Sequence, residues 1–232
     1  MRKCIISIFL LCLVILFSMT LVTSCKSPAP AQTLLKSFKP GTAYQYEGVM
    51  QIKSELPFLN SSESPQPLRS ESVVYPARKI GNQDVLPIKQ TISGLTSFRF
   101  LAEDKEGIYI YAVQGPNDLE SKIMPSKRYS LKYPMEIGTA WDYRNEQGEV
   151  VNSRMAAKEI VTVIAGNFEC LKIEQAGKVD FQGQIASFKG YEWVNLNGLV
   201  VKSYAEFQIK DPVFGAQATV QILLQLASIA KQ

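Results

Sequence analysis

Histidine is missing from all 232 residues. That absence excludes imidazole general bases, histidine-liganded metal sites and every Ser-His or Cys-His nucleophile pair. Cysteine is scarce as well. Three of the four lie within the first 25 residues (Cys4, Cys12 and Cys25), which leaves Cys170 alone in "NFECLKIEQ". One thiol in the body allows no intramolecular disulfide, and in a strand-like run without a base beside it the simpler reading is a small buried hydrophobe. Glycine-rich phosphate loops are lacking: neither G-x-G-x-x-G nor G-x-x-x-x-G-K occurs. Net charge is low. The formal value is +4, and setting aside Arg2 and Lys3 in the N-terminal segment leaves 23 basic against 21 acidic side chains. No basic stripe marks a nucleic-acid footprint. Carboxylate pairs such as Glu103 with Asp104, or Glu146 with Glu149, fall in predicted turns, where solvated loop charges account for them. No catalytic residues, metal ligands or cofactor follow from the sequence, and the chain is expected not to be an enzyme.

What is present begins with an address. Residues 1–25 read MRKCIISIFLLCLVILFSMTLVTSC: a positive start, an almost continuous apolar run from Cys4 to Phe17, then a more polar approach to Cys25. The apolar region is short for a spanning helix, which needs about 20 residues, and the layout is that of a secretory signal. The stretch "LVTSC" resembles the lipobox of bacterial lipoproteins, with Val22 where leucine is commonest. That resemblance implies a signal peptide at 1–24 and acyl chains on Cys25, which becomes the first mature residue. An uncleaved N-terminal membrane helix is the competing reading; either way the body lies outside the cytoplasm. Lys26 stands where an aspartate would favour inner-membrane retention, which points to the outer membrane if the host has one, otherwise to the outer face of the cell membrane. Residues 25–37 read as the lipidated cysteine and a proline-punctuated tether, whose last 12 residues reach about 40 Å when extended.

From residue 38 the chain reads as strands. In AYQYEGVMQIK (43–53), Tyr44, Tyr46, Met50 and Ile52 share one face and Gln45, Glu47, Gln51 and Lys53 the other. Similar runs cover Ser70–Ile80, Asp84–Ile92, Leu95–Leu101 and Ile108–Val113. After a loop come Thr139–Arg144, Val150–Ile164, Phe168–Ala176, Asp180–Val194, Leu199–Ile209 and Ala216–Leu226. The last run also fits a helix, with Gln217, Gln221 and Gln225 four apart, but Ala216 to Leu226 alternate strictly and a strand is expected. Phrases recur in order: "GTAYQY" (41–46) with "GTAWDY" (138–143), "DVLPIKQ" (84–90) with "ECLKIEQ" (169–175), and "EGIYIYAV" (106–113) with "NGLVVKSY" (197–204). We read two tandem β-meanders, 38–115 and 133–209, with a closing strand at 216–226; chance recurrence of short β words is the alternative. The predicted fold class is therefore all-β: a single strongly curved antiparallel sheet or incomplete barrel of about 10–11 strands. Rings two residues apart share a sheet face, so Tyr44, Tyr46, Trp141, Tyr143 and Trp193 are the candidate ligand-binding residues, although core packing is the simpler role for any one of them.

"YPMEIGTAWDY" (133–143), "VTVIAGNFECLKIEQ" (161–175) and "YEWVNLNGLVVKS" (191–203) resemble the TapB-like lipoproteins, secreted bacterial proteins built around a domain of unknown function. Pro134, Gly138, Trp141, Tyr143, Ala165, Gly166, Phe168, Cys170, Ile173, Trp193, Gly198, Leu199, Val200 and Lys202 carry the match. Ile164 stands where proline is usual, and Val201 places the lysine one position late. The first half matches loosely. Such domains are similar in layout to the LolA and LolB lipoprotein carriers, whose curved sheet cups acyl chains, an architectural analogy that implies no residue roles.

One loop, "SELPFLNSSESPQPL" (54–68), sets Leu56, Phe58 and Leu59 among serines and prolines, as a lid or partner-binding segment would, or a loop packed on its own core. The expectation from sequence is a non-catalytic, lipid-anchored envelope protein that binds an apolar ligand such as a lipid or acyl chain. A structural or assembly factor that binds another envelope protein is the alternative. The partners expected are the membrane, through the N-terminal acyl chains, and such a ligand or envelope protein, with no nucleic acid and no metal.

Overall fold

The computed structural model describes residues 34–54, 64–144, 150–181, 184–210 and 217–231. Cys25 and most of the 54–68 loop lie outside them. A 3-10 turn, Leu34–Ser37, leads into thirteen strands: β1 (Thr42–Ser54), β2 (Gln66–Val74), β3 (Arg78–Ile80), β4 (Gln83–Ile92), β5 (Leu95–Asp104), β6 (Gly107–Gln114), β7 (Lys122–Lys132), β8 (Ala140–Arg144), β9 (Val150–Val163), β10 (Gly166–Phe181), β11 (Gln184–Asn195), β12 (Val200–Lys210) and β13 (Gln217–Lys231). Twelve form one antiparallel sheet in the order β7-β6-β5-β4-β2-β1-β13-β12-β11-β10-β9-β8, and β3 adds to β4 off this path. The sheet curls into a barrel that is nearly closed, with one unsealed seam between β7 and β8.

The order resolves into two six-stranded meanders, β1-β2-β4-β5-β6-β7 and β8 to β13. They meet at β1 and β13, paired from Thr42 opposite Lys231 to Ser54 opposite Ala218 with one register shift between Gln45 and Tyr46. The three recurring phrases fall on equivalent strands of the two meanders: β1 and β8, β4 and β10, β6 and β12. The two launching glycines also do the same work. Gly41 (φ 79°) and Gly138 (φ 96°) both occupy the left-handed region that favours glycine. Each donates its N–H to the neighbouring strand, Gly41 to Val74 O at 2.9 Å and Gly138 to Met155 O at 2.8 Å.

Two strands were hidden in the sequence. Arg78–Ile80 separates from the Ser70–Ile80 run as β3, folding back on β4 to cover an outer-face cluster of Val85, Phe100, Ala102 and Tyr109. β7 lies in the stretch read as a loop between the meanders. Its hydrophobic pattern is broken by Pro125 and several cations, and its register with β6 breaks between the Ile123 and Arg128 pairings. Proline and lysine are tolerated there because β7 is an edge strand. Gly177 lies within β10, paired with Val151 and Phe188, where a break between Ala176 and Asp180 was expected. The last run is a strand, as its alternation requires, and extends to Lys231.

Leu34–Ser37 belongs to the packed body although it reads as tether. Leu34 and Leu35 pack with Ile108, Leu131, Ile173 and Val194, and both backbone N–H groups donate to the Glu103 carboxylate (2.9 and 3.1 Å). Tyr133 donates to the same carboxylate at 2.5 Å. Asp104, its neighbour, accepts from Lys127, Tyr129 and the Glu106 and Gly107 N–H groups. These two carboxylates, read as solvated turn charges, are structural acceptors.

Candidate functional site

Side-chain parity decides what the barrel encloses. Along β1, Tyr44 and Tyr46 face inward; across the ladders Ser70 pairs with Tyr46 and Ile92, and Ser72 with Tyr44 and Gln90. On the opposite wall Glu192 pairs with Ser203, which pairs with Leu224. These residues bound an internal cavity of about 360 Å³, together with Phe38, Phe188 and Val194. That volume is at the small end of the roughly 300–1,000 Å³ typical of ligand sites. Its wall is largely apolar, with a minority of polar groups converging on the space.

Two of those groups are ionisable. Arg99 of β5 and Glu192 of β11 both line the cavity. Arg99 is surrounded by protein yet keeps open surface, and it lines the cavity. Among the described residues neither group has a hydrogen bond or ion pair. Burial raises the Glu192 carboxyl above its ordinary range, and the fields of Arg99 and Arg128 only partly offset this. Burial and the positive Arg128 lower the Arg99 guanidinium, which stays protonated across the working range of pH. Arg128 is paired with Ile110, on the inward face of β7, and its guanidinium lies 4.9 Å from the Tyr143 ring centroid across the seam. A further polar group, Ser70 Oγ, is buried with no hydrogen-bond partner among the described residues and lines the same cavity. Buried polar atoms are nearly always satisfied, so this cavity is set apart from an ordinary core.

The structure distributes the five aromatic candidates among three locations. Tyr44 and Tyr46 line the cavity, and the Tyr46 hydroxyl donates to Val200 O at 3.0 Å. Burial raises both phenol pKa values, so both rings are neutral. Trp141 is 8% exposed, packs with Met155 and Ile173, and donates its indole N–H to Tyr129 O at 3.1 Å, bridging the seam. Tyr143 is beside the seam under Arg128. Trp193 alternates with Glu192 and Val194 and so faces outward, where Lys202 lies over its ring and its indole N–H meets Glu159. Only the first pair lines the cavity.

Arg99 and Glu192 were not singled out from the sequence. The available signal was parity: Arg99 in "SFRFLA" and Glu192 in "YEWVN" each sit between two rings, so one face of each strand must carry the charge and the other the aromatics. An outer groove of about 620 Å³ also exists beside Asp142, Arg154, Glu174 and Lys189. It is larger but open, and its Arg154–Glu174 pair is already satisfied at 3.0 Å. Enclosure and unpaired charge favour the internal cavity as the site.

No protein-family model and no curated protein matches the chain. Two solved structures are similar at a distance. One is a protein assigned as exported, with a YmcC-like fold, from Bacteroides fragilis NCTC 9343, at 13% identity and a TM-score of 0.38, covering 83% of this chain and 97% of that one. The other is assigned as a lipoprotein, from Parabacteroides distasonis ATCC 8503, at 12% identity and a TM-score of 0.34, covering 83% of this chain and 96% of that one. Likeness of this degree carries no functional argument. The resemblance of 133–203 to the TapB-like lipoproteins rests on its quoted motifs alone.

Proposed function

We propose that the chain is a non-catalytic, lipid-anchored envelope protein that holds an apolar ligand, a lipid or single acyl chain, inside its β-barrel. The single observation that carries this reading is the partly enclosed, mostly apolar cavity of about 360 Å³. A core that served stability alone would close on itself, since interiors pack to crystal-like density. The lipobox at Cys25 supports acylation and an extracytoplasmic location, at the outer membrane where the host has one. Native mass spectrometry of the protein extracted from membranes tests the reading. A lipid-sized adduct is expected on the wild type and is expected to vanish in Ala205→Phe, which places a ring at a cavity-lining position. A wild type without adduct that takes up no added lipid overturns it.

A second reading has its own observation. Among the described residues β7 pairs only with β6 and β8 only with β9, so the seam leaves two strand edges without a ladder. Strand addition by another envelope protein would use such edges. A stoichiometric protein partner lost on altering β7 or β8, with no lipid present, would favour an assembly factor.

A further inference from the structure

Granting that the barrel holds an acyl chain, the charges in its wall say what the other end of that molecule is. Three ionisable groups act on one another inside the barrel: Arg99, Arg128 and Glu192, two cations against one anion. Arg99 and Glu192 line the cavity from opposite walls, β5 and β11, and no hydrogen bond or ion pair within the described residues holds either of them. A guanidinium enclosed by protein is costly unless a partner satisfies its fork of donors. Glu192 is already shared in its influence between two arginines, so one positive charge is left over. Arg128 spends its face on the Tyr143 ring at the seam, which leaves Arg99 with its donors directed at the cavity. The Ser70 hydroxyl, without a partner, adds a neutral donor on another part of the wall. The remaining lining is mainly apolar, including Tyr44, Ile88, Leu101 and Leu224, with Ser72, Gln90, Ser130, Gln175 and Ser203 among it.

We infer that the ligand is a single-chain amphiphile with an anionic head group, a carboxylate or phosphate, and that the head group pairs with Arg99 while the chain occupies the apolar part of the cavity. A carboxylate suits the planar guanidinium in two-pronged geometry, and a cavity of about 360 Å³ suits one chain and not two. Glu192 then acts as the internal competitor for Arg99. It reduces the net positive charge of the empty site and weakens binding of any anion.

Isothermal titration calorimetry on the full chain held in amphipol, with matched blanks for probe partitioning, tests this with four probes: decanoate, decanol, decyltrimethylammonium and acetate. Decanoate is expected to bind at least tenfold tighter than decanol, with the cation weakest and acetate unable to displace decanoate. Arg99→Met is expected to remove the advantage of decanoate over decanol while changing decanol affinity less than twofold. Glu192→Gln, which keeps shape and removes the competitor, is expected to tighten decanoate severalfold and serves if the arginine variant does not fold. Decanol binding as tightly as decanoate overturns the head-group assignment and leaves the cavity reading standing. Displacement by acetate at equal concentration makes this a small-anion site and overturns the amphiphile. A preference for decanoate that survives in Arg99→Met, or that Glu192→Gln leaves unchanged, places the head group elsewhere and also overturns the inference. If none of the three ten-carbon probes binds, the cavity reading itself falls.

Discussion

Gly48 occupies the middle of β1, opposite Leu224 of β13 and Leu68 of β2. A Cβ added there would overlap the Leu223 carbonyl oxygen, with the carbonyl carbon at 2.7 Å and Leu224 Cα at 2.9 Å. All three atoms are backbone, so no side-chain rotation relieves the overlap and the β1–β13 ladder must open around residue 48. Two ladder bonds lost at about 1 kcal/mol each, plus about 1–3 kcal/mol for the backbone shift, give a cost of about 3–5 kcal/mol for Gly48→Ala. For a domain of this length that lowers Tm by roughly 6–20 °C. The position matters because, among the described residues, β1–β13 is the one laddered junction between the two meanders, the β7–β8 junction having none. Thermal unfolding followed by far-UV circular dichroism gives the shift. Amide hydrogen exchange is expected to speed up along β1 and β13 more than along β4 and β5. Gly190→Ala is the control: its Cβ would meet the tip of the Phe188 ring at 2.6 Å and Gln175 Oε1 at 3.1 Å, both able to swing aside, so the cost is smaller. A Gly48→Ala protein that melts within about 2 °C of wild type, or one no less stable than Gly190→Ala, refutes the claim that this ladder joins the halves.

Trp141→Phe removes the one indole hydrogen bond across the seam to Tyr129 O; a loss of about 1 kcal/mol is expected, with faster amide exchange in β7 and β8. Exchange unchanged there would mean the seam is held by other contacts. Glu192 makes stability depend on pH in a definite direction. Its native pKa is raised by burial, so the protonated carboxyl's contribution is complete below the unfolded value of about 4.3 and is lost as pH rises through the native value. Glu192→Gln should therefore match wild type in acid and exceed it at neutral pH in urea titrations; a constant difference across pH contradicts the burial of this carboxyl. Cys170 is 0% exposed, and burial, with Glu159 and Glu169 adding, pushes its thiol up to about 11. Peptide mapping after iodoacetamide at pH 8 should find it unmodified in the native protein and alkylated in urea, and native labelling would show a more open barrel. Cys25→Ala should move the protein from the membrane fraction to the soluble one if the lipobox is used; retention in the membrane would favour an uncleaved N-terminal helix.

Much of this architecture was legible because strands announce themselves locally. Alternation in AYQYEGVMQIK marks β1, and the strict alternation of Ala216 to Leu226 marks β13 against the helical spacing of its glutamines. The launching glycines were legible for the same reason, since a left-handed backbone at Gly41 and Gly138 is a property of single residues. β7 was not legible. Pro125 and the surrounding cations break the pattern, and they are tolerated only because the strand lies at the edge of the sheet, a fact that belongs to the assembled barrel.

The candidate site shows the same division more sharply. Tyr44 and Tyr46 line the cavity, on the face of β1 opposite its polar side. On β5 and β11 both faces carry bulky apolar groups, so parity pairs Arg99 with Leu101 and Glu192 with Val194 without saying which pair is inside. Trp193 was taken for a cavity residue and faces out, with Glu192 in its place within. Local pattern thus determined most of the strands and their turns, because each depends on neighbours in the chain. Closure of β1 on β13, the open seam and the inward turn of Arg99 and Glu192 were decided only in the folded barrel. Inside and outside exist for a strand only after residues from the two ends of the chain have met.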